Sequence, residues 1–270
     1  MKASVIISTY NSPCWLEKVL WGYACQSYKN FSIVIADDGS GNETRELIIR
    51  IQDQTGLNIK HVWHEDKGYR RQTILNTAIL NSPGDYLIMT DGDCIPRFDF
   101  VETHVRYAEK GRFLSGGYCK ISMKLSKAIT LNNITNQECF TLKWLTNIDR
   151  VKFSPARKLW VRGPLGNLCD FITTAKPTFN NCNSSAWKND ILSINGYDER
   201  MKYGGSDREL GERLTNFGIK GKQIRHRAIV LHLDHERGYK TKESINANLS
   251  IRSHTRLNNI VRTSNGIEKD

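Results

Sequence analysis

Asp85-Tyr86-Leu87-Ile88-Met89-Thr90 runs directly into Asp91-Gly92-Asp93. A short, nearly continuous apolar run that stops at turn residues is the pattern of a strand buried on both faces. Three similar runs precede it, Ser4–Thr9, Phe31–Ala36 and Ile59–Trp63, each rich in Val, Ile, Leu, Phe or Tyr. Amphipathic stretches around residues 13–27, 43–55 and 69–82 separate the runs. Pro13 suits an early helical position after Ser12, and Gly56 a C-terminal stop. The order β-α-β-α-β-α-β predicts an α/β fold, a mostly parallel sheet flanked by helices on both faces.

Ligands of such sheets bind beyond the carboxyl ends of the strands. Each of the four runs ends in hydrogen-bonding or acidic groups: Thr9-Tyr10-Asn11, Asp37-Asp38-Gly39-Ser40, His64-Glu65-Asp66 and Asp91-Gly92-Asp93. One such end is ordinary turn chemistry; four in succession predict a site along one rim.

The chain has 270 residues, 39% hydrophobic and 9% aromatic, enough for a sizeable core and too apolar for disorder. No apolar run approaches the length of a membrane-spanning helix, and the N-terminal stretch reads as a strand rather than a signal peptide. Seven scattered cysteines without a Cys-x-x-Cys pair suit reduced thiols, so a cytoplasmic location is expected, peripheral to a membrane at most. Net charge is +11, unevenly spread: residues 1–110 hold 12 Lys/Arg and 14 Asp/Glu, residues 111–270 hold 27 and 14. The basic half is expected to face an anion, whether phosphate, nucleic acid or a membrane surface. The expected organisation is a nucleotide-binding half (1–110), an acceptor-binding and catalytic half (111–236) and a basic helical tail (237–270), the first two fused into one domain. Residues 112–180, with the basic segment Arg157–Gly163, read as an irregular binding loop or lid.

Two carboxylates one residue apart at a strand end, Asp91 and Asp93, can both reach a hard divalent cation, Mg²⁺ or Mn²⁺, which keeps positions open for phosphate oxygens. Such a cation would neutralise a departing diphosphate. Asp37 and Asp38 are placed to hydrogen-bond a base or ribose, with Thr9 and Tyr10 flanking the cleft. Arg70 and Arg71 open a helix, where forked guanidinium geometry and the helix N-terminus both suit phosphate; a solvated helix face is the alternative. Further on, Tyr203-Gly204-Gly205-Ser206-Asp207-Arg208-Glu209 contains Ser-x-x-Glu, a capping box that would employ Ser206 and Glu209. Asp207 is left without a capping duty, beside glycines that permit close backbone approach, and can accept a proton from a substrate hydroxyl. Finally, Ala228-Ile-Val-Leu-His232-Leu-Asp-His235 reads as a strand running into two histidines. His232 is the stronger candidate for an imidazole ligand, and His235 ranks below it.

Ser8-Thr-Tyr-Asn11, Ala36-Asp-Asp-Gly-Ser40, Asp91-Gly-Asp93 and Tyr203-Gly-Gly-Ser-Asp207 together resemble family 2 glycosyltransferases of the GT-A (Rossmann-like) fold. Residues 181–216 resemble a galactosyltransferase-type module, as in bacterial chondroitin-type polymerases. The resemblance implies an inverting transferase that uses a UDP-sugar with Mn²⁺ or Mg²⁺. By position, Thr9, Tyr10, Asp37, Asp38 and Asp66 would surround the uridine, and Asp91 would lie near the ribose or metal. Asp93 and His232 would hold the metal, and Asp207 would be the base. Asn183 and Trp187 would line the sugar and acceptor pocket, next to Gly205 and Ser206. Ser206 stands where the family usually has Glu, a departure that touches acceptor binding rather than the metal.

The implied partners are a UDP-sugar donor and a saccharide or lipid-linked saccharide acceptor, in synthesis of a surface polysaccharide or lipooligosaccharide. The basic tail is expected to rest on an anionic membrane. The alternative is a basic nucleic-acid or membrane-surface binding protein without transferase activity. Against nucleic acid, the aromatic residues do not interleave with the basic ones in a stacking pattern. A nucleotidyltransferase would require a glycine-rich phosphate loop near the N-terminus, which Ser8–Asn11 is not.

Overall fold

The computed structural model describes residues 1–151, 156–161, 163–236 and 241–269. Its first part follows the expected alternation: β1 (Ala3–Thr9), α1 (Pro13–Ala24), β2 (Phe31–Asp37), α2 (Asn42–Thr55), β3 (Ile59–Trp63), α3 (Arg71–Asn81) and β4 (Tyr86–Asp91). Pro13 opens α1, and Gly56 closes α2 in the left-handed conformation that a side chain disfavours. β1 pairs in parallel with β2 and β4, and β2 with β3. Alternate residues explain why the strands read as unbroken apolar runs. Val5 and Ile7 pack under α1 and α2 with Leu16, Leu20 and Leu47, while Ile6 and Met89 pack on the other face with Ile74 and Ile79 of α3.

The second part contributes β5 (Cys94–Pro96), α4 (Phe100–Tyr107), β6 (Arg112–Ser115), β7 (Gly117–Lys120), α5 (Met123–Ala128), α6 (Leu131–Thr135), α7 (Leu142–Ile148) and α8 (Gly163–Ile172). It ends with β8 (Ser184–Trp187), α9 (Lys188–Ser193), α10 (Ser206–Asn216), β9 (Lys220–Gln223), β10 (Ile229–His232) and α11 (Lys242–Leu257). β8, β6 and β9 extend the first sheet to seven strands, ordered β3-β2-β1-β4-β8-β6-β9. β8 runs antiparallel to both its neighbours, and the remaining pairs are parallel. The two halves therefore share one sheet.

A second sheet, β5-β10-β7, was not foreseen, because strands of three or four residues carry almost no periodicity. The stretch 112–180 is also more regular than expected, holding two strands and four helices among its described residues. Arg162 of its basic segment lies outside the described residues, as do 237–240 and 270 of the tail. The rest of the tail packs on the domain: Arg252 pairs with Glu212 at 2.6 Å, and Asn248 Nδ2 donates to the carbonyls of Lys202, Tyr203 and Gly204. Its inner face is polar, with Ser244, Asn248 and Thr255 buried, which is why it shows no apolar stripe. Conversely, α8 leaves Leu165, Leu168, Phe171 and Ile172 exposed by 56%, 54%, 88% and 64%.

Candidate functional site

The strand ends converge as expected, and the Asp-Gly-Asp turn separates its two carboxylates. The Gly92 amide donates to the Ser8 carbonyl at 2.8 Å, and a Cβ on Gly92 would stand only 3.1 Å from that oxygen. Asp91 faces α3, where its carboxylate pairs with Arg71 and accepts from Ser8 Oγ at 2.9 Å. Asp93 leads into β5 on the side of the second sheet. Its Oδ2 stands 3.0 Å from His235 Nε2 and 3.9 Å from His232 Nδ1, and the two imidazoles stack with centroids 5.9 Å apart. Burial would raise the Asp93 carboxyl, but the His235 hydrogen bond and the two histidines bring it below the usual carboxylate range.

This group fits a divalent cation. Ligand atoms of Asp93, Cys94 and His232 all lie within 4.8 Å of one another. Ligands bound at about 2.1 Å on adjacent positions stand about 3 Å apart, the separation seen between Asp93 and His235. Nδ1 of His232 donates to the Leu233 carbonyl at 2.8 Å and Nδ1 of His235 to the Glu236 carbonyl at 2.8 Å, which leaves Nε2 of each ring to carry the lone pair when neutral. Burial holds the Cys94 thiol well above its ordinary value. The donors gathered here are the Asp93 carboxylate, the Cys94 thiol and two imidazoles. Two expectations change: Asp91 is committed to Arg71 rather than to a cation, and His235 stands nearer Asp93 than His232 does.

Along the rim, Tyr10 Oη donates to Asp66 Oδ2 at 2.8 Å, and the Gly68 amide donates to Asp66 Oδ1 at 2.9 Å. The Gly68 amide and then Tyr10 hold the Asp66 carboxyl below the usual range. Gly39, at φ +98°, lets the chain of Asp66 come so near that a Cβ would sit 2.6 Å from its Cα. Asp38 accepts from the Arg70 amide at 3.1 Å and lies 2.8 Å from His64 Nε2; burial raises its carboxyl. Asp37 departs from expectation. It is fully buried, accepts from the Ser40 amide at 2.9 Å and lies 2.8 Å from His61, so it braces the turn and is not open to a nucleoside. Arg71 departs too: it is spent on Asp91 and Ser8, so its guanidinium does not stand ready for phosphate as the helix-start pattern suggested, while Arg70 gives one guanidinium nitrogen to the Glu65 carbonyl.

Asp207 lies across the cleft. Its Oδ1 accepts from the Arg208 amide at 2.8 Å and its Oδ2 from the Asn181 amide at 3.3 Å. Burial raises its carboxyl, opposed but not cancelled by those amides and by Arg71. Cys182, hydrogen-bonded to Cys94 and desolvated, also feels the charges of Asp91, Asp93 and Asp207.

The expected capping box is absent. Gly205, at φ +85°, is the N-cap of α10, which starts at Ser206 and not at Asp207. Ser206 Oγ accepts from Gln72 Nε2 at 2.8 Å. Glu209 forms a fully buried pair with Arg213 at 2.8 Å, which outcompetes a reach back to the cap. Gly205 packs against Arg252 of α11.

Two expected pocket residues are elsewhere. Asn183 is buried, with Nδ2 donating to the Gly117 and Ala228 carbonyls and Oδ1 bonded to His104 at 2.9 Å; its hydrogen-bonding capacity is used within the protein. Trp187 pairs with Tyr86 at the opposite end of β4 from Asp91. Five residue-to-residue steps along β4 separate these ends, roughly 17 Å, and Lys110 Nζ covers the Trp187 ring at 3.5 Å.

The sequence reading missed Asn181 and Gln72. Among the described residues, seven buried side-chain atoms lack a hydrogen-bond partner; four of them, Thr9 Oγ1, Arg70 Nε, Gln72 Oε1 and Asn181 Nδ2, belong to residues of the rim or beside it, and the others to Tyr23, Asp190 and Gln223. Buried polar atoms are seldom orphaned, so the four at the rim suit a polar ligand. No signal in the sequence distinguishes Asn181 from the turn residues beside it.

Comparisons with known proteins show the family and the fold. A family model described as Glycosyl transferase family 2 matches residues 4–153. An uncharacterized glycosyltransferase of Rickettsia felis is 30% identical over 125 residues, 46% of this chain and 20% of that protein. Validoxylamine A glucosyltransferase of Streptomyces hygroscopicus is 41% identical over 69 residues, 25% of this chain and 16% of that protein. The matches thus span a fifth or less of those relatives' lengths. Among solved structures, Staphylococcus aureus TarS 1-349 in complex with UDP-GlcNAc is similar with a TM-score of 0.59 at 15% identity, covering 88% of this chain and 60% of that one. The Pyrobaculum calidifontis mannosyltransferase in complex with GDP-Man and Mn²⁺ is similar with a TM-score of 0.56 at 16% identity, covering 95% and 61%.

Proposed function

The chain belongs to glycosyl transferase family 2 and has the GT-A fold, and from that premise we propose an inverting, metal-dependent transferase that moves a sugar from a UDP-sugar to a saccharide hydroxyl. The observation that carries the reading is the convergence of two unlike carboxylate environments. Asp93 is held ionised beside two imidazoles, while Asp207 has its basicity raised by burial across the same cleft.

Asp207 accepts the proton of the acceptor hydroxyl, whose oxygen attacks the anomeric carbon from the face opposite UDP. The new glycosidic bond forms as the anomeric carbon–phosphate oxygen bond breaks, and UDP departs. The Asn181 and Arg208 amides hold Asp207 in place for this transfer. Tyr10 and Asp66 form one wall of the nucleoside site, Asp38 and the Arg70 backbone another, with Thr9 Oγ1 on its floor. Asp93, His232 and His235 would hold Mn²⁺, which supplies charge neutralisation to the leaving diphosphate when bound. Imidazole suits Mn²⁺ better than Mg²⁺, which prefers oxygen alone. Residues 181–216, which carry Asn181 and Asp207, serve as the galactosyltransferase-type module in this reading. UDP release from a panel of UDP-sugars, with EDTA and then added Mn²⁺, tests it; no UDP binding and no release under any condition would reject it.

The same reading places the work in surface saccharide synthesis, at an anionic membrane. Among the described residues, no helix is long and apolar enough to cross a membrane. The tail, with Arg252 and Arg256 turned to Glu212, is a weaker membrane contact than the sequence suggested. The exposed apolar row of α8, with Arg157 before it and Lys176 after it, is the better one, since apolar insertion and anionic headgroups are met together.

A further inference from the structure

We propose that Ser126 is a positioning residue for the cation site: through the amide of Asp234 it sets where His235 stands relative to Asp93. The inference rests on the metal-dependent reading and adds to it a side chain that touches neither the cation nor the substrate.

The two imidazoles are held in unlike ways. His232 closes β10, which is paired on both sides there, with Cys94 of β5 and Lys120 of β7. Its carbonyl accepts from the Ile121 amide at 3.1 Å, and the next amide, that of Leu233, donates to the Asp93 carbonyl at 2.9 Å. The strand has ended before His235, whose place depends on a turn rather than on a ladder. Ser126 holds that turn: its Oγ accepts from the Asp234 amide at 2.8 Å.

Donor counting fixes the direction of this bond. An amide can only donate, and a hydroxyl has one proton. The Ser126 proton goes to the Ser122 carbonyl at 2.8 Å, one turn back along α5, which leaves the oxygen lone pairs to Asp234. Ser126 is fully buried, so its oxygen cannot swing away to water. An alanine there strips the Asp234 amide of its acceptor, and the turn relaxes to find another.

Both ends of α5 are fixed as well. Ser122 caps the first turn, its Oγ accepting from the Leu125 amide at 3.3 Å and donating to Asp149 at 2.5 Å. Lys18 of α1 reaches the other end, where Nζ donates to the carbonyls of Ser126 at 2.7 Å and Lys127 at 3.3 Å. Carbonyls of a last helical turn lack partners within the helix. α1 packs on the main sheet, so α5 ties the position of the first half to a histidine of the second.

The test measures Mn²⁺ affinity of the full chain by electron paramagnetic resonance titration, and the spin-echo signature of imidazole nitrogen on bound Mn²⁺. Ser126→Ala should weaken Mn²⁺ binding about tenfold, the lower end of what a lost outer partner costs. It should also reduce the nitrogen signature to that of His235→Ala. In the His235→Ala background the same substitution should weaken binding no further, because its effect passes through that ring. Ser122→Ala removes the cap of α5 and spares the Ser126–Asp234 bond, so it should keep wild-type affinity and signature. Ser126→Cys, which fills the site with a poor acceptor, replaces the alanine variant should that one fail to fold. Additive losses in the double variant, or equal losses from Ser122→Ala, would reduce Ser126 to a structural residue and overturn the proposal. A wild-type nitrogen signature in the Ser126 variant would overturn it too. Unchanged Mn²⁺ affinity in His235→Ala would remove His235 and this inference together, leaving the transferase reading on Asp93, His232 and Asp207. Wild type that binds no Mn²⁺ would bring down the metal-dependent reading itself.

Discussion

His235 Nε2 stands 3.0 Å from Asp93 Oδ2, nearer than His232, whose Nδ1 is 3.9 Å from the same oxygen. The two rings stack within 3° of parallel, each with a ring nitrogen toward the same carboxylate oxygen. Asp91, two residues before Asp93, is instead neutralised by Arg71. The turn thus leaves one carboxylate beside two imidazoles and commits the other to Arg71 of α3.

The first prediction concerns that division. Asp93→Asn and His235→Ala should each weaken Mn²⁺ binding by about 10–100-fold, the scale seen when a metal site loses a supporting group. Asp91→Asn should leave Mn²⁺ affinity near wild type. Electron paramagnetic resonance titration of free Mn²⁺ measures both, and a strong loss with Asp91→Asn would return that residue to the ligand set.

Asp207→Asn should lower kcat by about 10²–10⁴, the usual contribution of a positioned base, and leave UDP affinity unchanged. Because burial raises the Asp207 carboxyl, the acid limb of the kcat/KM profile should lie above the ordinary aspartate value of about 3.9. Wild-type turnover by the variant would remove Asp207 from the mechanism.

A third prediction concerns acid stability. His104 is fully buried, bonded to Ser185 Oγ at 2.7 Å and Asn183 Oδ1 at 2.9 Å, and burial lowers its pKa from 6.5 to about 4. The unfolded chain binds this proton more readily than the folded one. His104 therefore contributes stability that is complete above about 6.5 and lost as pH falls toward 4. At 1.36 kcal/mol per unit, the loss is about 3 kcal/mol. Urea unfolding at stepped pH should show this slope, and His104→Gln should flatten it despite a lower overall stability.

Membrane binding should depend on α8. Replacing Leu168 and Phe171 with Ser should release the protein from anionic vesicles, whereas neutral vesicles should bind even wild type weakly. Co-sedimentation reads this directly. Equal binding by the double variant, lost instead on deleting 241–269, would restore the tail as the contact.

Much of the first 110 residues was legible because their strands are buried on both faces and their helices are bounded by Pro13 and Gly56. Elements of that kind leave local marks. The Ser206–Glu209 capping box read equally clearly and was wrong, because Glu209 found a buried partner in Arg213 and Gly205 took the cap. Local patterns name what a side chain is able to do; competition among partners in space decides what it does.

The sequence by itself determined the parallel alternation, the polar rim and the residue types gathered there, since each follows from periodicity and turn chemistry within a short window. Only the tertiary structure decided which aspartate pairs with Arg71 and which lies beside His232 and His235. It also removed Asn183 and Trp187 from the pocket, and set Ser126 against the Asp234 amide. The reason is physical: β10 crosses from residue 229 to lie between strands that begin at 94 and 117. Pairings over such distances along the chain leave no trace in any local window.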